Sequence, residues 1–129
     1  MDRVSQREWV VKVLFEMDFN NSDLNDLDRI LENHELQEME FIKNSVSSAL
    51  NNLEIIDEII NRHLDRLPFG KISNTDKAIL RTSINEFVID KTIPVSVSIN
   101  EAVEISKKYS REDSYKFING ILSSVAKEL

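Results

Sequence analysis

The 129 residues suit one domain, with 41% hydrophobic content for a core and 30% charged residues for a solvated surface. The chain has no cysteine, which excludes disulfides, thiol catalysis and cysteine-ligated zinc. A formal net charge of −7 argues at first against a nucleic-acid partner.

In chain order, apolar residues recur at helical spacing. Val10, Val13, Leu14 and Met17 form a first stripe, and Leu24, Leu27, Ile30 and Leu31 a short second one. Met39, Ile42, Val46, Ala49 and Leu50 form a third, and Leu53, Ile56, Ile60 and Leu64 a fourth, with Asn51-Asn52 breaking the chain between them. Leu80, Ile84, Phe87 and Val88 mark a fifth helix, which an extended connection at Pro94 should end. Ile99, Ala102 and Val103 mark a sixth, and Ile118, Ile121, Leu122, Val125 and Leu129 the last. Ser5 with Glu8 and Ser98 with Glu101 read as capping boxes, in which two side chains satisfy free amides reciprocally. Ser73 or Asn74, and Ser110 before Glu112-Asp113, read as caps with acids in the first turn, where the helix dipole favours negative charge. With only two glycines and two prolines, the expected fold is all-α: about seven helices in one domain over 1–129, with an N-terminal sub-bundle at about 1–52 and a C-terminal one at about 53–129.

Charge is distributed unevenly. Residues 16–58 hold twelve acids against two bases, whereas the remainder holds eleven acids and fourteen bases. The densest basic segment is 62–81, with Arg62, Arg66, Lys71, Lys77 and Arg81. Such charges are by default ordinary surface charge, and the asymmetry permits an RNA-facing side without demonstrating one.

Catalytic patterns are missing. His34 and His63 stand alone, outside any H-E-x-x-H arrangement, and His63 reads as a partly buried structural histidine. No G-x-S-x-G elbow or glycine-rich phosphate loop occurs, so the expectation is a binding protein without enzymatic activity, metal or cofactor. No apolar run approaches the roughly 18 residues of a membrane helix. The first residues lack a secretory apolar stretch, so the expected location is the cytoplasm.

On a wheel of about 100° per residue, the apolar stripe of the last helix lies opposite Asp113, Lys116, Gly120 and Ser124. Phe117 sits at the stripe's edge. It is either a stacking platform for an unpaired base or a helix-packing residue that works with a close approach at Gly120.

The stretch 75–81, then Ile93-Pro94, the run from Ser98 to Ile105, and the run from Glu112 to Leu122 closely resemble the NusB family of transcription antitermination factors. The close match covers about 64–126, and Arg7-Glu8 with Leu14-Phe15 extends it to the N-terminal half. The resemblance implies two small helical bundles packed together. It further implies binding of boxA RNA, a single-stranded element, together with NusE, a small-subunit ribosomal protein. The resulting RNA polymerase antitermination complex supports transcription of ribosomal RNA operons. Carried over by position, it implies that Arg3 and Arg7 meet phosphates and that Asp113, Lys116 and Phe117 sit on the RNA face. Lys77 and Arg81 lie nearby, Asp76 faces NusE, and Asn100-Glu101 fixes the turn into the sixth helix.

The chain departs from the family pattern at Arg3 and Arg7, which stand where a denser arginine cluster is common. It departs again at Trp9-Val10-Val11, in place of small residues, and at Ser110, in place of glycine. Two other readings stay open: a NusB-like domain of the kind fused to RNA cytosine methyltransferases, which a chain ending at Leu129 disfavours, and a protein-only helical interaction module. The resemblance leaves a homodimer open as well.

Overall fold

Asp2, whose carboxylate accepts the Ser5 amide at 2.8 Å, starts the first helix of the computed structural model, which describes residues 1–129. The expected Ser5 cap is therefore displaced by three residues, because an acid just upstream reaches the same free amides. Seven α-helices follow one another: α1 Arg3–Phe19, α2 Leu27–Asn33, α3 Glu40–Asn51, α4 Leu53–Arg62, α5 Asn74–Ile84, α6 Val95–Tyr109 and α7 Ser114–Ala126. The all-helical expectation holds, and the α3/α4 break falls at Asn52, whose side chain donates to the Ser48 carbonyl at 2.8 Å.

The buried apolar side chains form one continuous cluster drawn from every α-helix. At its centre lies α5, packed against α1, α3, α4, α6 and α7. Every residue from Ala78 to Phe87 is buried, the pattern of a helix enclosed on all sides. Its polar residues must then find partners inside the protein. Thr82 Oγ1 donates to the Ala78 carbonyl at 2.8 Å, Ser83 and Ser98 hydroxyls pair at 2.8 Å, and Arg81 and Glu86 form ion pairs.

Beyond Ile84 the helix widens into a π-helical segment, Asn85–Asp90, that ends at Lys91 in the left-handed region (φ 55°), and the non-helical link expected at Pro94 follows. Asn85 and Asp90 are held there by each other at 3.2 Å and by the Ser48 hydroxyl, 3.0 and 2.7 Å from their oxygens. Pro94 then begins α6, so Ser98 lies inside that helix rather than capping it. Its hydroxyl instead donates to Glu86 Oε1 at 2.9 Å, in the interior. Likewise Asn100-Glu101 lies within α6, not at its entry.

In α7 the stripe of Ile118, Ile121, Leu122 and Val125 is buried as expected. Leu129 is not part of it: the helix ends at Ala126 and Leu129 is 64% exposed. No helix is long and apolar enough to cross a membrane.

Candidate nucleic-acid interface

The basic residues divide into two groups by their partners. Arg7 is buried and its Nε donates to Glu86 Oε2 at 2.8 Å. Arg81 is buried too, with Nε and Nη2 each 2.8 Å from one oxygen of Asp57, and Nη1 3.6 Å from Asp18. Burial pulls its pKa down, but the two carboxylates, Asp57 foremost, outweigh it and hold the guanidinium's pKa above its ordinary value. So Asp18 and Asp57, two of the twelve acids in 16–58, neutralise an interior arginine. The phosphate contact expected of Arg7, and the RNA-side position expected of Arg81, meet an obstacle here, because each guanidinium already has an interior carboxylate partner.

Lys71, Lys77, Arg111, Lys116 and Arg3 take part in no ion pair. Lys77 Nζ lies 4.7 Å from the Phe69 ring centre, and the Arg3 guanidinium lies 3.9 Å from that of Phe41. These contacts orient the cations without neutralising them.

Two of these free cations border a cleft of about 350 Å³ between the starts of α5 and α7. Lys71 and Arg111 line it together with Asp76, Asp113, Ser114 and Phe117. The sequence explains why both helices begin here. Ser73 accepts the Asp76 amide at 3.1 Å and so caps α5. Ser110, expected to cap the last helix, instead ends α6, and its hydroxyl donates to Asp76 Oδ1 at 2.8 Å. That bond holds Asp76, 8% exposed, at the floor of the cleft.

Asp113 precedes α7 but makes no side-chain cap bond; the Ser114 and Lys116 amides donate instead to the Arg111 and Asp113 carbonyls, at 3.0 and 3.2 Å. Phe117 is half-buried at the cleft wall, and Lys116 is exposed. A β-carbon built on Gly120 would meet nothing within 4 Å, so close helix approach is not what this glycine serves. Of the residues singled out from sequence, Asp76, Asp113 and Phe117 therefore share one cleft, with Lys77 and Lys116 one position along from Asp76 and Phe117. Arg3 and Arg7 line a different one, beside Phe41.

In the sequence Lys71 stands out only as one member of the basic segment 62–81, and Arg111 does not stand out at all. Only the tertiary pairing of the α4–α5 link with the α6–α7 link brings them together. Also missed was an exposed aromatic pair on α1: Phe15 and Phe19 stack with ring centres 6.1 Å apart, and Phe19 is 67% exposed. The spacing of four was visible, but nothing in the sequence distinguished this pair from core aromatics. The two histidines have structural surroundings. His63 lies between Ser124 and Glu128, and His34 pairs with Glu16 at 2.6 Å beside Trp9.

Comparison with known proteins gives the chain's family. The model of the NusB family matches residues 4–127. The chain belongs to the NusB family. One relative, transcription antitermination protein NusB of Thermoanaerobacter sp. (strain X514), is 42% identical over 133 residues, covering 99% of this chain and 92% of its own length. Among solved structures, T. maritima NusB superposes with a TM-score of 0.88 at 35% identity, over 99% of this chain and 92% of that one. A chain from the crystal structure of antitermination factors NusB and NusE in complex with dsRNA gives a TM-score of 0.80 at 28% identity, with both chains fully covered. As a NusB-family member the protein shares the helical frame on which the α5/α7 cleft is built.

Proposed function

We propose that this protein is a non-enzymatic, cytoplasmic transcription antitermination factor that binds boxA-type RNA together with NusE within an RNA polymerase antitermination complex. The observation that carries the reading is the pair of unpaired cations, Lys71 and Arg111, on a cleft walled by Phe117, with Lys77 and Lys116 next in sequence to two of its lining residues. Cations without carboxylate partners are available to phosphates, and a half-buried aromatic ring is a platform for an unpaired base.

Within this reading the roles differ by residue. Phe117 stacks a base, Asp113 accepts from a base edge, and Lys71, Lys77, Arg111 and Lys116 meet phosphates. Arg3, held over Phe41 with its guanidinium edge free, extends the phosphate track to the N-terminal end. Arg7 and Arg81 serve first as interior ion-pair partners, and any phosphate contact by either is secondary. Asp76 shapes the NusE-facing side through its bond to Ser110. The exposed Phe15–Phe19 pair adds an apolar docking patch suited to a protein partner.

The relative crystallised with NusE and dsRNA supports the choice of partner and ligand class. Co-elution tests it: the protein, its NusE and a boxA-type RNA, mixed at micromolar concentration, are expected to leave a sizing column as one ternary species. Separate elution of all three contradicts the reading.

A further inference from the structure

The side of α7 turned away from Phe117 borders a second groove, between α6 and α7. Tyr115 precedes Phe117 by two residues, about 200° around the helix, so the two rings face opposite sides. The groove encloses about 550 Å³. Ile99 and Val103 of α6 give it an apolar floor, and Tyr115, Lys107 and Lys116 stand along its walls. The ammonium groups of Lys107 and Lys116 lie 5.2 and 5.9 Å from the Tyr115 ring centre. Lys116 has no carboxylate partner, and Lys107 has only Glu104 at 3.7 Å, with both side chains about half exposed. A pair of that kind contributes little and is easily given up to a ligand.

Two carboxamides complete the groove. Asn100 makes no side-chain hydrogen bond, and Asn119 only accepts a long one from Ser123 at 3.5 Å, so the amide donors of both are free. An aromatic ring between two cations, above an apolar floor and beside free carboxamides, matches an unpaired nucleotide. The ring stacks the base, the ammonium groups meet the phosphates on either side, and the carboxamides read the base edge. An acidic peptide would use the lysines but would leave the ring and the carboxamides without a role. Continuity favours RNA too. Lys116 lies between Tyr115 and Phe117 on the wheel, and a helix is about 10–12 Å across, a distance a few nucleotides of single strand can cover.

We propose that the α6/α7 groove is a second RNA subsite, in which Tyr115 stacks an unpaired base while Lys107 and Lys116 hold the flanking phosphates. This rests on the RNA reading of the α5/α7 cleft and extends it around the start of α7.

Fluorescence anisotropy with an unpaired boxA-type RNA about a dozen nucleotides long, NusE present, tests it on four forms: wild type, Phe117→Ala, Tyr115→Ala and Tyr115→Phe. Tyr115→Ala is expected to weaken binding about five-fold or more, and Tyr115→Phe to stay within about two-fold of wild type. Lys107→Gln should flatten the log–log salt dependence by about 0.7, a readout that a packing role does not move. Substituting 5-bromouridine along the RNA should give a photocrosslink to Tyr115 in the unaltered protein.

If Phe117→Ala weakens binding while Tyr115→Ala does not, the groove proposal fails and the RNA reading stands. If the wild type binds no RNA, both fall. Equal loss in Tyr115→Ala and Tyr115→Phe, an unchanged salt slope for Lys107→Gln, or displacement of the RNA by polyglutamate as readily as by unlabelled RNA would each overturn the proposal.

Discussion

Arg7 Nε donates to Glu86 Oε2 at 2.8 Å, joining α1 to the π-helical segment 79 residues further along the chain. Both side chains are under 10% exposed, and Ser98 donates to the other Glu86 oxygen. Removing the arginine leaves a carboxylate buried without its charge partner. Arg7→Ala is therefore expected to lose about 3–5 kcal/mol of stability, read as a lower urea midpoint at unchanged slope. A variant with wild-type stability and weakened RNA binding would instead show Arg7 acting directly as a phosphate ligand.

Glu86 also sets a pH dependence. Burial pushes its carboxyl above the ordinary range, against the opposing pull of Arg7 and of the Ser98 hydroxyl. The folded state therefore keeps this proton at pH values where the unfolded chain has released it. Stability from this group must fall as pH rises from the ordinary glutamate range to the raised folded value, and level off above it. Urea midpoints across that window should show the difference between wild type and Glu86→Gln falling with pH. A difference that rises with pH would show the carboxylate to be net stabilised by Arg7 instead.

Arg81 uses the planar fork of its guanidinium to meet both oxygens of Asp57. Lysine keeps the charge but cannot reproduce two parallel bonds. Arg81→Lys should cost roughly 1–3 kcal/mol in chemical denaturation. A loss within experimental error would mean that charge alone secures this site.

The Phe15–Phe19 pair is exposed and lies outside the core cluster. Changing both to serine should leave the melting temperature within a few degrees of wild type and weaken capture of NusE at least ten-fold in a direct binding assay. A large fall in melting temperature, with NusE binding intact, would identify the pair as packing residues.

The sequence carried the helices well because their periodicity is a local property. Ile118, Ile121, Leu122 and Val125 occupy the face that their spacing requires. The caps were less legible. Ser98 looks like a helix start, but Pro94 begins the helix earlier and Ser98 answers an interior carboxylate 12 residues away. The π-helical segment was invisible, since its support comes from Ser48 on another helix. In the candidate site, Asp76, Asp113 and Phe117 were nameable through the family resemblance. Whether a basic residue is free or neutralised depends on carboxylates that only folding brings near, as Asp57 is brought to Arg81. That distinction separates Lys71, which the sequence marks only as part of a basic segment, and Arg111, which it does not mark, from Arg7 and Arg81.

If the protein and NusE recognise RNA jointly at the α5/α7 cleft, a titration of fluorescent boxA-type RNA with the protein, with NusE and with both, at several salt concentrations, shows it. Binding should be tightest with both proteins and weaken with salt at a log–log slope of about −0.7 per phosphate contact, and Phe117→Ala should weaken it by about five-fold or more. Equal affinity for boxA-type and scrambled RNA with NusE present would contradict the account.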